Sequence, residues 1–244
     1  TGSGVAIMIV VGFYMHTTNG IPARVPSSAN AADATIAYNE RVYQMESDEF
    51  HGDGLRVLVV GNSFSRDFVN ALVETYPKEQ LESLALVYRS DFPECHEEST
   101  GTIARLYGSA EVVISASGTD ECVRSNARLA RKSSKSYIVF GTKMFGSNLN
   151  WLTREDDWTN RSNPVLSRTT LTDQRIRDAS PKGFFVSWLD ATVEDGQIPI
   201  TDSDGDLLTT DRRHFSKAGA RYFGIRTLRG SVVERELFSE QGVD

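Results

Sequence analysis

Three residues in this chain have the types and spacing for nucleophilic chemistry: Ser63, Asp211 and His214. A serine hydroxyl is a weak nucleophile until a base lies within hydrogen-bond reach. Asp211-Arg212-Arg213-His214 offers that base together with a carboxylate that could fix its tautomer. Ser63 sits in Leu55-Arg56-Val57-Leu58-Val59-Val60-Gly61-Asn62-Ser63-Phe64-Ser65, an apolar run broken by a glycine. That pattern reads as a buried strand, a tight turn and a helix start. The first N–H groups of a helix, at its positive dipole end, can face a developing oxyanion. Each site also has a purely structural reading: Ser63 as a helix cap, and Asp211 as a turn cap beside a surface histidine. Histidines are few. His16 and His51 precede the first sheet strand, and His96 lies in a polar loop beside Cys95.

These residues need a scaffold that brings the end of an early strand to the start of the last helix. From Leu55 onward the pattern is strand then helix, repeated. Strands are expected at 56–60, 84–88, 111–115 and 136–141. Helices are expected at 65–76 (stopped by Pro77), 101–107 and 120–133. Further on come a polar stretch at 148–170 with Trp151 and Trp158, a helix at 172–179 before Pro181, and a strand at 184–188 containing Trp188. A hairpin is expected around Asp204-Gly205, and a last helix from Ser216 to about 238. Short continuous apolar runs alternating with helices indicate a parallel sheet covered on both faces.

Before the sheet, 35–50 has helical spacing (Ile36, Tyr38, Val42, Tyr43, Met45) and ends in His51-Gly52-Asp53-Gly54. Residues 20–34 are rich in Pro, Ser, Ala and Asn and read as an extended linker. Thr1-Gly2-Ser3 reads as a cloning remnant, and 4–15 is nearly all apolar. A dozen apolar residues fall short of the roughly 20 that span a bilayer. There is no basic leader and no small-x-small cleavage site. The end of a transmembrane helix fits the segment best, with a buried soluble helix as the alternative. The expected organisation is therefore 1–20 as remnant and helix end, 21–54 as linker and extension helix, and 55–244 as the catalytic domain.

A chain of 244 residues can hold one full domain. A net charge of −7 and no basic patch argue against a nucleic-acid partner. The basic cluster 124–135 reads as a solvated helix face. Asp202-x-Asp204-x-Asp206 looks like part of a calcium loop, but Gly205 is misplaced and no terminal glutamate follows. A turn explains it better, and no metal site is expected. Cys95 and Cys122 would both fall at the carboxyl edge of a parallel sheet. A free pair would suit a reducing compartment; compartment logic favours a disulfide in an oxidising one.

Gly61-Asn62-Ser63-Phe64-Ser65 resembles the first block of the SGNH hydrolases (GDSL-like esterases), usually Gly-Asp-Ser, and Asp211-x-x-His214 resembles their last block. The resemblance covers about 55–237. It implies an α/β fold, a three-layer α/β/α sandwich with a parallel sheet, with Ser63 as nucleophile, His214 as base and Asp211 as its orienter. The family's oxyanion hole uses the nucleophile's region with a glycine and an asparagine from middle blocks. Ser117-Gly118-Thr119-Asp120-Glu121 resembles one such block, but Asp120 stands where the asparagine would be. An ionised carboxylate only accepts hydrogen bonds. Ser63 and Ser90, with Asn148 or Lys143, are therefore the candidates for the hole.

The apolar segment followed by Asn19-Gly20-Ile21-Pro22-Ala23-Arg24 resembles the junction in fused membrane acyltransferases. Those proteins join an acyltransferase-3 membrane domain to a periplasmic SGNH domain and O-acetylate bacterial surface polysaccharides such as lipopolysaccharide O-antigen. This resemblance implies a bacterial inner-membrane location with the domain in the periplasm, where Cys95 and Cys122 would oxidise. The implied partners are the membrane domain of the same chain and a polysaccharide acceptor, with the membrane itself met through the N-terminal helix. No cofactor is expected in this domain; acetyl-CoA would be used by the membrane domain. Two other readings stand beside this one: a secreted carbohydrate acetylesterase with the same triad, and a non-catalytic carbohydrate-positioning domain.

Overall fold

Apolar runs become the strands of a central sheet in a computed structural model that describes residues 37–116, 118–209 and 211–239. The apolar segment 4–15 and the linker 20–34 lie outside the described residues, and so does Ser117. In chain order the strands are β1 (Leu55–Val60), β2 (Leu84–Arg89), β3 (Val112–Ser115), β4 (Ser136–Phe140), β5 (Ser162–Pro164), β6 (Phe185–Val186) and β7 (Gln197–Pro199). The helices are α1 (Ser63–Thr75), α2 (Lys78–Leu81), α3 (Gly101–Ser109), α4 (Asp120–Lys132), α5 (Ser167–Ala179), α6 (Lys217–Leu228) and α7 (Val232–Phe238).

Five strands form one parallel sheet in the order β2-β1-β3-β4-β6. Side chains alternate across it, as strand geometry requires. On β1, Val57 and Val59 join one core with Phe68 and Leu72 of α1, Phe223 of α6 and Val233 of α7. Leu58 and Val60 join the other, with Leu106 of α3, Val123 of α4 and Ile176 of α5. The result is three layers, helix–sheet–helix, with both sheet faces dry. Each fully buried side chain of this size contributes roughly 1.5–3 kcal/mol relative to exposure.

The chain runs from β1 outward to β2 and then back across β1 to β3. The carboxyl ends of β1 and β3 therefore flank a topological switch point, where open α/β sheets leave a crevice. α1 starts there.

Several elements differ from the sequence expectation: α5 begins at Ser167, before the expected 172, and β6 keeps only Phe185–Val186 of the expected 184–188. The last helix breaks at Arg229-Gly230-Ser231, where Gly230 has φ +69° and the Ser231 side chain caps α7. The Asp204-Gly205 turn forms, with a bridge between Thr201 and Leu207, but β7 pairs antiparallel with β5 instead of with its own return. The extension is helical only as far as Met45. Glu46 then bridges to Tyr88 on the edge strand β2, and Arg41 reaches Asn70 and Glu74 of α1, each at 3.2 Å. Among the described residues no helix is long and apolar enough to cross a membrane.

Candidate active site

The turn between β1 and α1 fixes Ser63. Gly61 takes φ +117°, a region that side chains disfavour, and its N–H is held by the Arg89 carbonyl at 3.1 Å. Asn62 is the N-cap, its side-chain oxygen accepting the Phe64 N–H at 2.9 Å. Ser63 is thus the first helical residue and not the cap, so its hydroxyl is released from that duty. Two residues on, the buried Ser65 hydroxyl donates to the Val60 carbonyl (2.6 Å) and accepts the Ala116 N–H (3.1 Å). That bridge locks the start of α1 to the chain ends of β1 and β3.

The second half of the site is the loop that enters α6. Asp211 Oδ1 accepts the backbone N–H of Arg213 (2.9 Å) and of His214 (2.8 Å). Its other oxygen, Oδ2, lies 2.5 Å from His214 Nδ1. His214 Nε2 lies 2.7 Å from Ser63 Oγ. The Thr209 hydroxyl donates to the His214 carbonyl at 2.7 Å, and Arg212 holds the turn at φ +71°. Phe64 meets the imidazole edge-on, with ring centres 6.0 Å apart.

The imidazole is thus held at both nitrogens. With Nδ1 donating to the carboxylate, Nε2 is the nitrogen that can take the Ser63 proton. Burial by itself would raise the Asp211 carboxyl, but the hydrogen bonds from the His214 ring and from the two backbone N–H groups outweigh it and hold the group well below the usual carboxylate range. Asp211 therefore stays anionic beside the ring. The His214 side chain is 24% exposed and that of Asp211 49%, so the relay opens to solvent.

The candidates for the oxyanion hole fall out differently. Ser90 is corrected: its N–H and its hydroxyl both go to Glu46 Oε1, at 3.1 and 2.5 Å, so the docked extension consumes its donors. Asn148 lines a cleft of roughly 360 Å³ with Ser147, Leu149, Asn150, Asp211 and Arg212, on the Asp211 side of the triad. Its side-chain oxygen caps the Asn150 N–H at 2.8 Å. Asp120 turns onto the surface of α4 and pairs with Arg124 at 3.3 Å.

Lys143 is corrected as well. Its ammonium is buried and spent on Asp67 of α1, at 2.6 Å, and on the Arg213 carbonyl. Sequence reasoning passed over Asp67, although a signal was present. It lies four residues after Ser63 and beside Phe68 on a helix whose apolar face is buried, a costly place for an unpaired carboxylate.

Cys95 and Cys122 form a disulfide that ties the chain before the 3₁₀ turn at His96–Glu98 to the first turn of α4. Trp188 is core, tilted against Phe140, while the indole N–H groups of Trp151 and Trp158 are tied down by Asn163 and the Glu155 carbonyl. The Asp202 side chain caps the backbone of Asp204 and Asp206, the turn reading of that acidic triplet.

No protein-family model matches the chain, and no curated protein matches it in sequence. Among solved structures it is similar to a chain described as the crystal structure of an acetyl xylan esterase, AlAXEase, with 10% sequence identity and a TM-score of 0.40, over 70% of this chain and 97% of that chain.

Proposed function

We propose that this chain is the SGNH-type domain of a bacterial membrane O-acetyltransferase, carrying an acetyl group on Ser63 and passing it to a sugar hydroxyl of lipopolysaccharide O-antigen or a similar surface polysaccharide. The observation that carries the reading is the unbroken relay from Ser63 Oγ through both nitrogens of His214 to the Asp211 carboxylate. His214 Nε2 takes the hydroxyl proton as Oγ attacks the acetyl carbonyl. The tetrahedral oxyanion forms at the start of α1, facing the Ser63 N–H and the helix dipole. Collapse expels the donor's leaving group, which takes the proton back from His214, and leaves an acetyl ester on Ser63. In the second half, His214 deprotonates the sugar hydroxyl, that oxygen attacks the ester, and Ser63 recovers its proton.

Delivery of the acetyl group from acetyl-CoA falls, in this reading, to an acyltransferase-3 membrane domain of the same protein, with the present domain in the periplasm. The Cys95–Cys122 disulfide supports an oxidising compartment. The test is acetylation of the polysaccharide in cells whose membrane-anchored protein carries Ser63→Ala or His214→Ala. Acetylation should fall to background in both; full acetylation in both would sink the mechanism. Hydrolysis of a small acetyl ester by this chain reports whether water competes with the sugar hydroxyl.

A further inference from the structure

Behind the triad the molecule buries an ion pair that the reaction scheme does not use. Lys143 and Asp67 are 1% and 0% exposed, with Nζ 2.6 Å from Oδ2. Two charges taken from water lose more solvation than their attraction returns unless the surrounding donors and acceptors are also used. Here Lys143 Nζ and Asp67 Oδ2 are used on one loop, while Asp67 Oδ1 is buried without a hydrogen-bond partner. Lys143 Nζ donates to the Arg213 carbonyl, the peptide oxygen just before His214. Asp67 Oδ2 accepts the Phe215 N–H, just after it, at 3.0 Å. The Lys143 ammonium also lies over the rings of Phe64 (4.1 Å) and Phe215 (4.5 Å), and Phe64 is the ring that meets His214 edge-on. Arg66 adds a cation 3.8 Å from Asp67 Oδ1.

The placement of Asp67 matters most. It lies four residues after Ser63 in α1, so the two project from one helix face, one turn apart. The clamp therefore measures the position of His214 from the same helix that carries the nucleophile. We propose that the Asp67–Lys143 pair positions the general base: by gripping the peptide groups on both sides of His214, it sets the separation of His214 Nε2 from Ser63 Oγ. This proposal rests on the triad reading. Asp67 and Lys143 act through His214 and touch no reacting atom.

The experiment uses this chain with Asp67→Asn, Lys143→Met and the double variant, and with Ser63→Ala as control. Readouts are the rate at which a fluorophosphonate labels Ser63, kcat and KM on a small acetyl ester, the far-downfield proton resonance of the His214 Nδ1–H, and thermal unfolding. The single variants leave one charge buried alone and lower stability on any account of the pair. The double variant removes both charges and recovers much of that loss. A positioning pair predicts that the folded double variant still labels and turns over about 10- to 100-fold slower, with KM unchanged, as a displacement of about 1 Å in a reacting group would produce. Its Nδ1–H resonance should be broadened or shifted. Wild-type labelling and kcat in the folded double variant would overturn the proposal and leave the pair as packing. Absence of Ser63 labelling in the unaltered chain would instead overturn the triad reading beneath it.

Discussion

Asp211 divides its bonds between the loop before His214 and the ring of His214. One oxygen holds the two N–H groups that shape the loop, and the other holds the ring. Asp211→Asn separates these duties. The amide oxygen can keep the loop, but the amide nitrogen would then face His214 Nδ1 as a donor. The ring would have to carry its proton on Nε2, where it cannot receive the proton of Ser63. By analogy with the serine-protease triad, kcat should fall about 10³- to 10⁴-fold. KM and the unfolding temperature should change little. Ester hydrolysis with a parallel melting curve checks this, and an Asn variant with normal kcat would show that Asp211 does not set the tautomer. These residues were legible because each motif carries its chemistry locally: a strand, a glycine and a serine, then Asp-x-x-His. The pairing of Asp67 with Lys143 was not, even though a carboxylate on a buried helix face is itself a local signal. Their partnership spans 76 residues, and nothing local marks a lysine after a strand as buried.

At the scale of elements, the site depends on how α6 lies against α1, since the first helix carries Ser63 and the loop into the second carries His214. The two approach closely at Gly224, where a Cβ would come within 2.3 Å of Thr75 Oγ1 and 2.8 Å of the Ala71 carbonyl. Backbone cannot yield as a flexible side chain does, so Gly224→Ala must push the helices apart. Overpacking of this kind costs about 1–3 kcal/mol. The expected result is a clear drop in unfolding temperature, together with slower Ser63 labelling as the loop shifts. An unchanged melting curve would refute the close approach. The strands of this layer were legible because a parallel sheet buried on both faces writes itself as short apolar runs. The pairing of β5 with β7 was not, because it joins segments more than thirty residues apart and neither is strongly apolar. The break between α6 and α7 had its signal in Gly230-Ser231, a helix stop followed by a cap, which the apolar spacing on both sides masked.

For the whole molecule, the two cores on opposite sheet faces put the Ser63–His214 pair and the buried His96 on different sides. Ser63 and His214 belong with α1, whereas His96 lies on the other side, among Phe92, Tyr107 and Tyr137 beside the disulfide. Burial there pushes the His96 imidazole down from 6.5 to about 4. The unfolded chain therefore takes up this proton first as pH falls. Its contribution to stability is complete above about pH 6.5 and is lost progressively down to about pH 4, for a total on the order of 3 kcal/mol. Asp173 works the other way. Burial raises its carboxyl to about 6, against hydrogen bonding from Ser187 and the charge of Arg177, so the folded state holds that proton while the unfolded chain has released it. Its effect gains stability as pH falls from 6 toward 3.8, and partly hides that of His96 in the wild-type curve. The two are separated by substitution. Urea unfolding of His96→Phe at pH 7, 5.5 and 4 should show the difference from wild type shifting steadily in favour of the variant as pH falls; any fixed packing cost of the larger ring cancels in that slope. Ser63 labelling at pH 7 should be unaltered, because the change lies across the sheet from the relay. Parallel stability curves for the two proteins would show that His96 is not the proton-linked group.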